Sequence, residues 1–266
     1  MKSWRLNWTI NEFKRLSKKT YQKYGMELQS PWKFYACLLF KLIPAFKIPV
    51  TFQLKNGGKI KIYEFMTLYI YKEIFFDKCY DFPSLIKDDP LILDIGANTG
   101  VFATRMKQLY KDSSIYCFEP FPTNFYQLQK NIKSSNFDNI KLHQSGVGGS
   151  TRNEKLFIHK KNIGGHSLSN ILANSNNYID IELIDINEVL KLSQGKKWDL
   201  VKMDCEGAEY EIIKCLTKES ARIIKHIIFE SSPSIYDVNE LLKHLECIGF
   251  RIEKNKNILI CLNDSV

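Results

Sequence analysis

Leu91-Ile92-Leu93-Asp94-Ile95-Gly96-Ala97-Asn98-Thr99-Gly100-Val101 is the stretch on which the fold turns. A short aliphatic run ends on an acid, two glycines follow four apart, and residues 101–110 then carry the spacing of a helix. Apolar runs this short, bounded by turn residues, suit strands buried on both faces of a parallel sheet. The same unit recurs downstream. Strand-like runs lie at 114–118, 140–143, 198–203 and 223–229, with helical stretches at 123–134, 206–216 and 234–248 between or after them. Such alternation predicts a doubly wound α/β sheet with right-handed crossovers, whose ligands sit at the carboxyl ends of the strands. Residues 250–253 and 258–262 flank a polar turn at 255–257 and read as a closing antiparallel hairpin.

Upstream of this body the chain changes character. Residues 51–64 flank Asn56-Gly57-Gly58, a hairpin signal because Asn-Gly supplies the positive φ angles of a tight turn, and residues 65–79 have helical spacing. Residues 1–50 hold ten Lys and Arg against Glu12 and Glu27, whereas the remaining residues are nearly neutral, so most of the net charge of +9 belongs to this basic, aromatic-rich segment. We therefore expect a helical N-terminal appendage over 1–50 and a main body over 51–266. The appendage would pack on the body, on a second copy of the chain, or on an anionic membrane surface. The near-neutral body argues against a protein that binds nucleic acid throughout. Seven scattered cysteines without a CxxC pair read as reduced thiols rather than a disulfide framework or zinc site. Lys2, Arg5 and Asn7 break any leader-like apolar run, and the apolar stretch 34–46 is too short to span a bilayer. A cytoplasmic location is expected.

The residues following each strand carry the chemistry. Gly96 and Gly100 allow a sharp turn and close backbone approach, and the helix after them offers free N–H groups. Their GxxxG spacing is not the GxGxxG of a dinucleotide site, and Asp94 would repel a pyrophosphate but suit an ammonium group. Glu119-Pro120 closes the second strand, where an acid accepts hydrogen bonds from a ribose diol. A ribose, a carboxylate and a positive charge without phosphate are the features of S-adenosylmethionine. Asp204 and Glu206 end the fourth strand, and two carboxylates there are costly unless they meet a cation or a hydrogen-bonding substrate. Glu206 and Glu209 also fit the start of a helix. Glu230 ends the fifth strand beside them. His166, in Gly164-Gly165-His166-Ser167-Leu168, is a loop histidine able to take a proton near neutral pH. His159, His226 and His244 read as structural.

Three blocks together resemble the FkbM methyltransferases: residues 93–100, Phe118-Glu119-Pro120 with Asn131-Ile132, and residues 201–209 around Asp204-Cys205-Glu206-Gly207. The similarity extends over about residues 60–235 and leaves 1–50 outside. It implies a class I Rossmann-like methyltransferase fold, a mostly parallel seven-stranded sheet with an antiparallel last strand, here with an N-terminal helical appendage and hairpin. It also implies S-adenosylmethionine as donor and a hydroxyl acceptor on a sugar, nucleotide-linked sugar or polyketide. By motif, Asp94, Gly96, Asn98, Gly100 and Glu119 line the cofactor with Ala97, Pro120, Val147 and Asp204 beside them, and Asp204 and Glu206 lie by the transferred methyl. Ile184-Asp185 stands where Leu-Asp is common.

The expected reaction is displacement of the methyl group onto an acceptor oxygen, with His166, Asp204 or Glu230 as base, or a divalent ion held by the carboxylates to polarise the hydroxyl. The lysines near 155–161 would meet a substrate diphosphate. Three rival readings have less support in the residues. An RNA methyltransferase would use the basic segment, but lacks here the Asn/Asp-Pro-Pro-aromatic element. A nicotinamide-dependent sugar oxidoreductase would need GxGxxG and a Tyr-x-x-x-Lys pair. A non-catalytic module would not need these motifs intact.

Overall fold

The computed structural model describes residues 5–7, 9–11, 27–40, 48–81, 87–159, 165–255 and 258–263. They fall into two compact units, residues 1–81 with 130–137, and residues 82–129 with 138–266. The division thus lies downstream of residue 50.

The first unit holds helix α1 (Trp32–Phe40), strands β1 (Val50–Gln53) and β2 (Lys59–Ile62), and helix α2 (Phe65–Tyr71), which continues as a π-helical turn over Lys72–Phe76. β1 and β2 pair antiparallel with Val50 opposite Ile62. The positive φ of the turn falls on Gly57 and Gly58 rather than on Asn56. Why the hairpin joins this unit is visible in its aromatics. Phe52 meets Tyr71 at 5.0 Å and Phe34 meets Phe76 at 4.9 Å, all four buried, so the hairpin closes a core with both helices. Of the helical appendage expected over 1–50, residues 12–26 and 41–47, with most of its lysines, lie outside the described residues.

The second unit is built on a seven-stranded sheet of order β11-β12-β10-β9-β3-β4-β5. In chain order its strands are β3 (Leu91–Ile95), β4 (Ser114–Phe118), β5 (Ile140–His143), β9 (Leu200–Met203), β10 (His226–Glu230), β11 (Arg251–Asn255) and β12 (Ile258–Leu262). β10, β9, β3, β4 and β5 pair parallel, while β12 runs antiparallel between β10 and β11. The chain first builds outward from β3 through β4 to β5, then returns to β9 on the other side of β3. That reversal opens a crevice at the carboxyl ends of β3 and β9. Helices α3 (Val101–Leu109), α4 (Pro122–Ser135), α5 (Asn170–Ala173), α6 (Ile186–Leu190), α7 (Glu209–Lys214), α8 (Lys218–Ala221) and α9 (Val238–Cys247) connect the strands. Every residue of β3 and β9 is buried, as a parallel sheet covered on both faces requires. The core gathers Leu93, Phe118, Trp198, Val201, Phe229, Ile212, Leu241 and Leu245.

Two features depart from the expected pattern. The long stretch between the third and fourth strands of the main sheet is no simple loop but a second sheet, β6 (Gly146–Gly148), β7 (Arg152–Phe157) and β8 (Tyr178–Asp185) in the order β6-β8-β7. Helix α7 starts at Glu209, not at 206, because Glu206 and Gly207 take φ of 52° and 107° and hold the segment as a loop. All seven cysteines are free thiols, with Cys37, Cys117 and Cys261 buried and Cys247 exposed. Among the described residues no helix is long and apolar enough to cross a membrane.

Candidate active site

The site is assembled at the crevice by three loops. The first, Gly96–Gly100, leaves β3 with φ of +75° at Gly96, +50° at Asn98 and +81° at Gly100. Gly96 N–H and Ala97 N–H both donate to Phe118 O at 3.0 Å, tying the loop to the end of β4. The second loop begins at Glu119, which is 5% exposed. Its Oε2 accepts from Asn98 N–H at 2.8 Å and its Oε1 from Phe121 N–H at 2.9 Å. Burial pushes the Glu119 carboxyl up to about 7, against the pull of these two N–H donors. Each oxygen keeps a further lone pair.

The third loop, 204–208, follows β9. Glu209, 1% exposed, accepts Cys205 N–H at 2.7 Å and Gly207 N–H at 2.8 Å, so this helix-start acid also clamps the loop in front of its helix. The Glu206 carbonyl accepts from Ser167 Oγ. Burial first, then the neighbouring Asp204, Glu209 and Glu230, push the Glu206 carboxyl up to about 8. It is therefore mostly protonated at neutral pH and stands as a donor rather than a base. Asp204, with 37% of its side chain exposed, lies 3.7 Å from Lys202 Nζ.

Gly96, Asn98, Glu119, Pro120, Val147, His166, Asp204 and Glu206 border one cavity, and the second sheet adds Gly146, Leu156, Ile181 and Leu183 as an apolar wall. Ala97 and Gly100, expected to line the cofactor, do not border this cavity; Gly100 N–H donates to Ala97 O at 2.9 Å within the turn of the loop. Glu230 faces an adjoining hollow with Asp204, Glu206, Glu209 and Ser231, Ser232 and Ser234. Asp94 differs from expectation. It is fully buried and does not border the cavity, and its Oδ1 pairs with Lys202 Nζ at 3.0 Å. Its register explains this, since Asp94 and Lys202 stand opposite each other on β3 and β9. His166 also differs. It is folded in against the Phe121 ring at 4.1 Å rather than exposed, and burial together with His159 lowers it to about 4. Lys155 lies over the Tyr178 ring at 4.3 Å, while residues 160 and 161 are outside the described residues. Among the described residues no three His, Cys, Asp or Glu side chains are grouped to hold a metal ion.

Lys202 is the residue beneath the site to which sequence reading gives no role. It is 3% exposed on the side chain, donates to Gly96 O at 2.8 Å and sits within ion-pair reach of both Asp94 and Asp204. Burial disfavours its charge, but Asp94 and Asp204 outweigh this and hold it above the ordinary lysine range. The available signal was a lysine inside an otherwise apolar strand, which demands a buried partner.

A family model of the methyltransferase FkbM domain matches residues 94–252. The chain is 30% identical over 206 residues to Methyltransferase 1 of Beauveria bassiana (strain ARSEF 2860), covering 69% of this chain and 81% of that one. It is 30% identical over 217 residues to Methyltransferase sdnD of Sordaria araneosa, covering 71% and 83%. To 2-O-methyltransferase NoeI of Sinorhizobium fredii (strain NBRC 101917 / NGR234) it is 29% identical over 145 residues, covering 48% and 58%.

Proposed function

Since the chain belongs to the FkbM methyltransferase family, we propose that it moves the methyl group of S-adenosylmethionine to a hydroxyl oxygen of a sugar, nucleotide-linked or part of a surface glycan. The observation that carries the donor assignment is the carboxyl lining of the cavity. Glu119, Asp204 and Glu206 border it, and no lysine or arginine does among the described residues. A pyrophosphate would find no cation there, which counts against a dinucleotide; a sulfonium would favour the ionised forms of these carboxyls and be held by them. The groups present fit that molecule. Glu119 keeps free lone pairs for a ribose diol, the loop at Gly96 lets backbone approach, and the apolar wall suits a flat base.

S-adenosylmethionine, when bound, supplies an electrophilic methyl group on sulfur. Asp204 then takes the proton of the acceptor hydroxyl at its carboxylate, being the acid of the third loop that is partly open to solvent, while protonated Glu206 donates and orients. Oxygen as the methylated atom is supported by the similarity to NoeI, a 2-O-methyltransferase. A sugar acceptor is supported by the hollow beside Asp204, where carboxylates and three serines offer a polyol many hydrogen-bond partners.

Calorimetry with S-adenosylhomocysteine tests the donor reading, and its release in the presence of a panel of free and nucleotide-linked sugars tests the acceptor. Asp204→Asn is expected to leave S-adenosylhomocysteine affinity within a factor of about two and to lower turnover about a hundredfold, the usual scale of losing a positioned base. Unchanged turnover would remove Asp204 from the chemistry. A second expectation concerns pH. A diol donates to the charged carboxylate, so with Glu119 at about 7 in the free protein the affinity rises between pH 6 and 8, by at most about tenfold per unit. Glu119→Gln should bind more weakly and show a smaller slope over the same range, Glu206 being the other carboxyl that titrates there; a slope undiminished by this change would place the titrating group elsewhere.

A further inference from the structure

The ring of His166 is fixed by two neighbours. His159 N–H donates to Nδ1 at 3.1 Å, and the Phe121 ring lies 4.1 Å away at 47°. A nitrogen that accepts carries no proton, so a neutral imidazole held in this way has its single proton on Nε2. Burial and the neighbouring His159 keep the ring neutral at pH 7. Nε2 is itself buried and makes no hydrogen bond to the protein among the described residues. A buried donor is costly to leave in that state, and His166 borders the cavity.

We propose that His166 is a cofactor-binding residue whose Nε2–H donates to an acceptor atom on the nucleoside part of S-adenosylmethionine, and that it is not the base of the transfer. The inference rests on the donor reading given above. The ring has no lone pair to spare for a substrate proton, since the one on Nδ1 is taken by His159 N–H. Placement at the nucleoside end follows from Phe121. Its ring packs on His166, and its N–H binds Glu119, the carboxylate assigned to the ribose. The loop histidine and the acid at the end of β4 would thus grip the same moiety, one as donor and the other as acceptor.

Calorimetry at pH 7 on the full chain, with S-adenosylhomocysteine and with 5′-methylthioadenosine, which lacks the amino-acid chain, decides the matter. His166→Leu is expected to weaken both ligands about five- to thirtyfold, the scale of one lost hydrogen bond, and His166→Gln, which keeps a donor, to recover most of that loss. Nitrogen-15 NMR of histidine-labelled wild-type protein is expected to show His166 neutral with its proton on Nε2, a readout that holds even if the leucine variant folds poorly. Wild-type binding undiminished in His166→Leu, the opposite tautomer, or a loss confined to S-adenosylhomocysteine would each overturn this inference. Absence of binding by the wild-type chain would instead overturn the donor reading on which it rests.

Discussion

Gly96→Ala is expected to abolish S-adenosylhomocysteine binding and to lower stability by about 4 kcal/mol or more, the range reserved for overlaps a fold cannot absorb. A β-carbon at this position would lie 2.0 Å from Asp204 O and 2.8 Å from Asp204 C. These are backbone atoms, and they are not free to retreat. Asp204 N–H donates to Ile95 O at 3.1 Å, and Ile95 pairs with Met203 in the β3–β9 register. Relief therefore means parting the ends of the two strands that carry the first and third loops. The φ of +75° adds about 1–2 kcal/mol for any residue with a side chain. Gly195→Ala separates the two contributions, because Gly195 has φ +83° but nothing within 4 Å of its added carbon. It should lose only the conformational part. Urea midpoints of both variants, with calorimetry, check this, and native-like binding by Gly96→Ala would refute the close approach of these loops.

That approach is only half legible in the sequence. The glycine pair, the acid closing β4 and the two acids after β9 stand out because turn geometry and strand-end chemistry restrict the residue types that can occupy such places. The small sheet did not stand out. β6 is three residues with two glycines, and β7 alternates half-buried and exposed residues, so neither forms an apolar run. Of its buried side chains, Val147 joins the main core, while Leu156, Ile181 and Leu183 make a cluster apart from it and serve the cavity wall instead. Asp94 was legible as important but not in its role. Whether an acid faces a ligand or a lysine depends on the partner across the sheet, and Lys202 is brought opposite only by pairing β3 with a strand more than a hundred residues later. The start of α7 is not legible for a related reason, since helix-favouring acids at 206 and 209 say nothing of the positive φ that Glu206 and Gly207 adopt.

Lys202→Met is accordingly expected to cost about 3–5 kcal/mol at pH 8, the scale of breaking one side of a buried ion pair. Methionine fills nearly the same space, so the loss reports charge rather than volume. Without the ammonium, the carboxylate of Asp94, 0% exposed, has no ion-pair partner among the described residues, and the Gly96 carbonyl loses its 2.8 Å donor. The pH dependence distinguishes this from a packing defect. Burial already raises the Asp94 carboxyl, with Lys202 as the chief opposing influence, so removing Lys202 raises it further. A carboxyl whose folded value exceeds its unfolded value binds more protons in the native state, and its destabilisation is complete above the folded value. As pH falls through that value toward the ordinary carboxylate range, Asp94 protonates and the deficit shrinks. Adding Asp94→Asn to Lys202→Met should restore most of the stability at pH 8, giving a strongly non-additive cycle. Urea midpoints of the four proteins from pH 5 to 8 measure both effects. A deficit that is constant with pH and additive with Asp94→Asn would mean that Lys202 acts only by filling the strand, and that the charge beneath the Gly96 loop is not what holds the first and third loops in place.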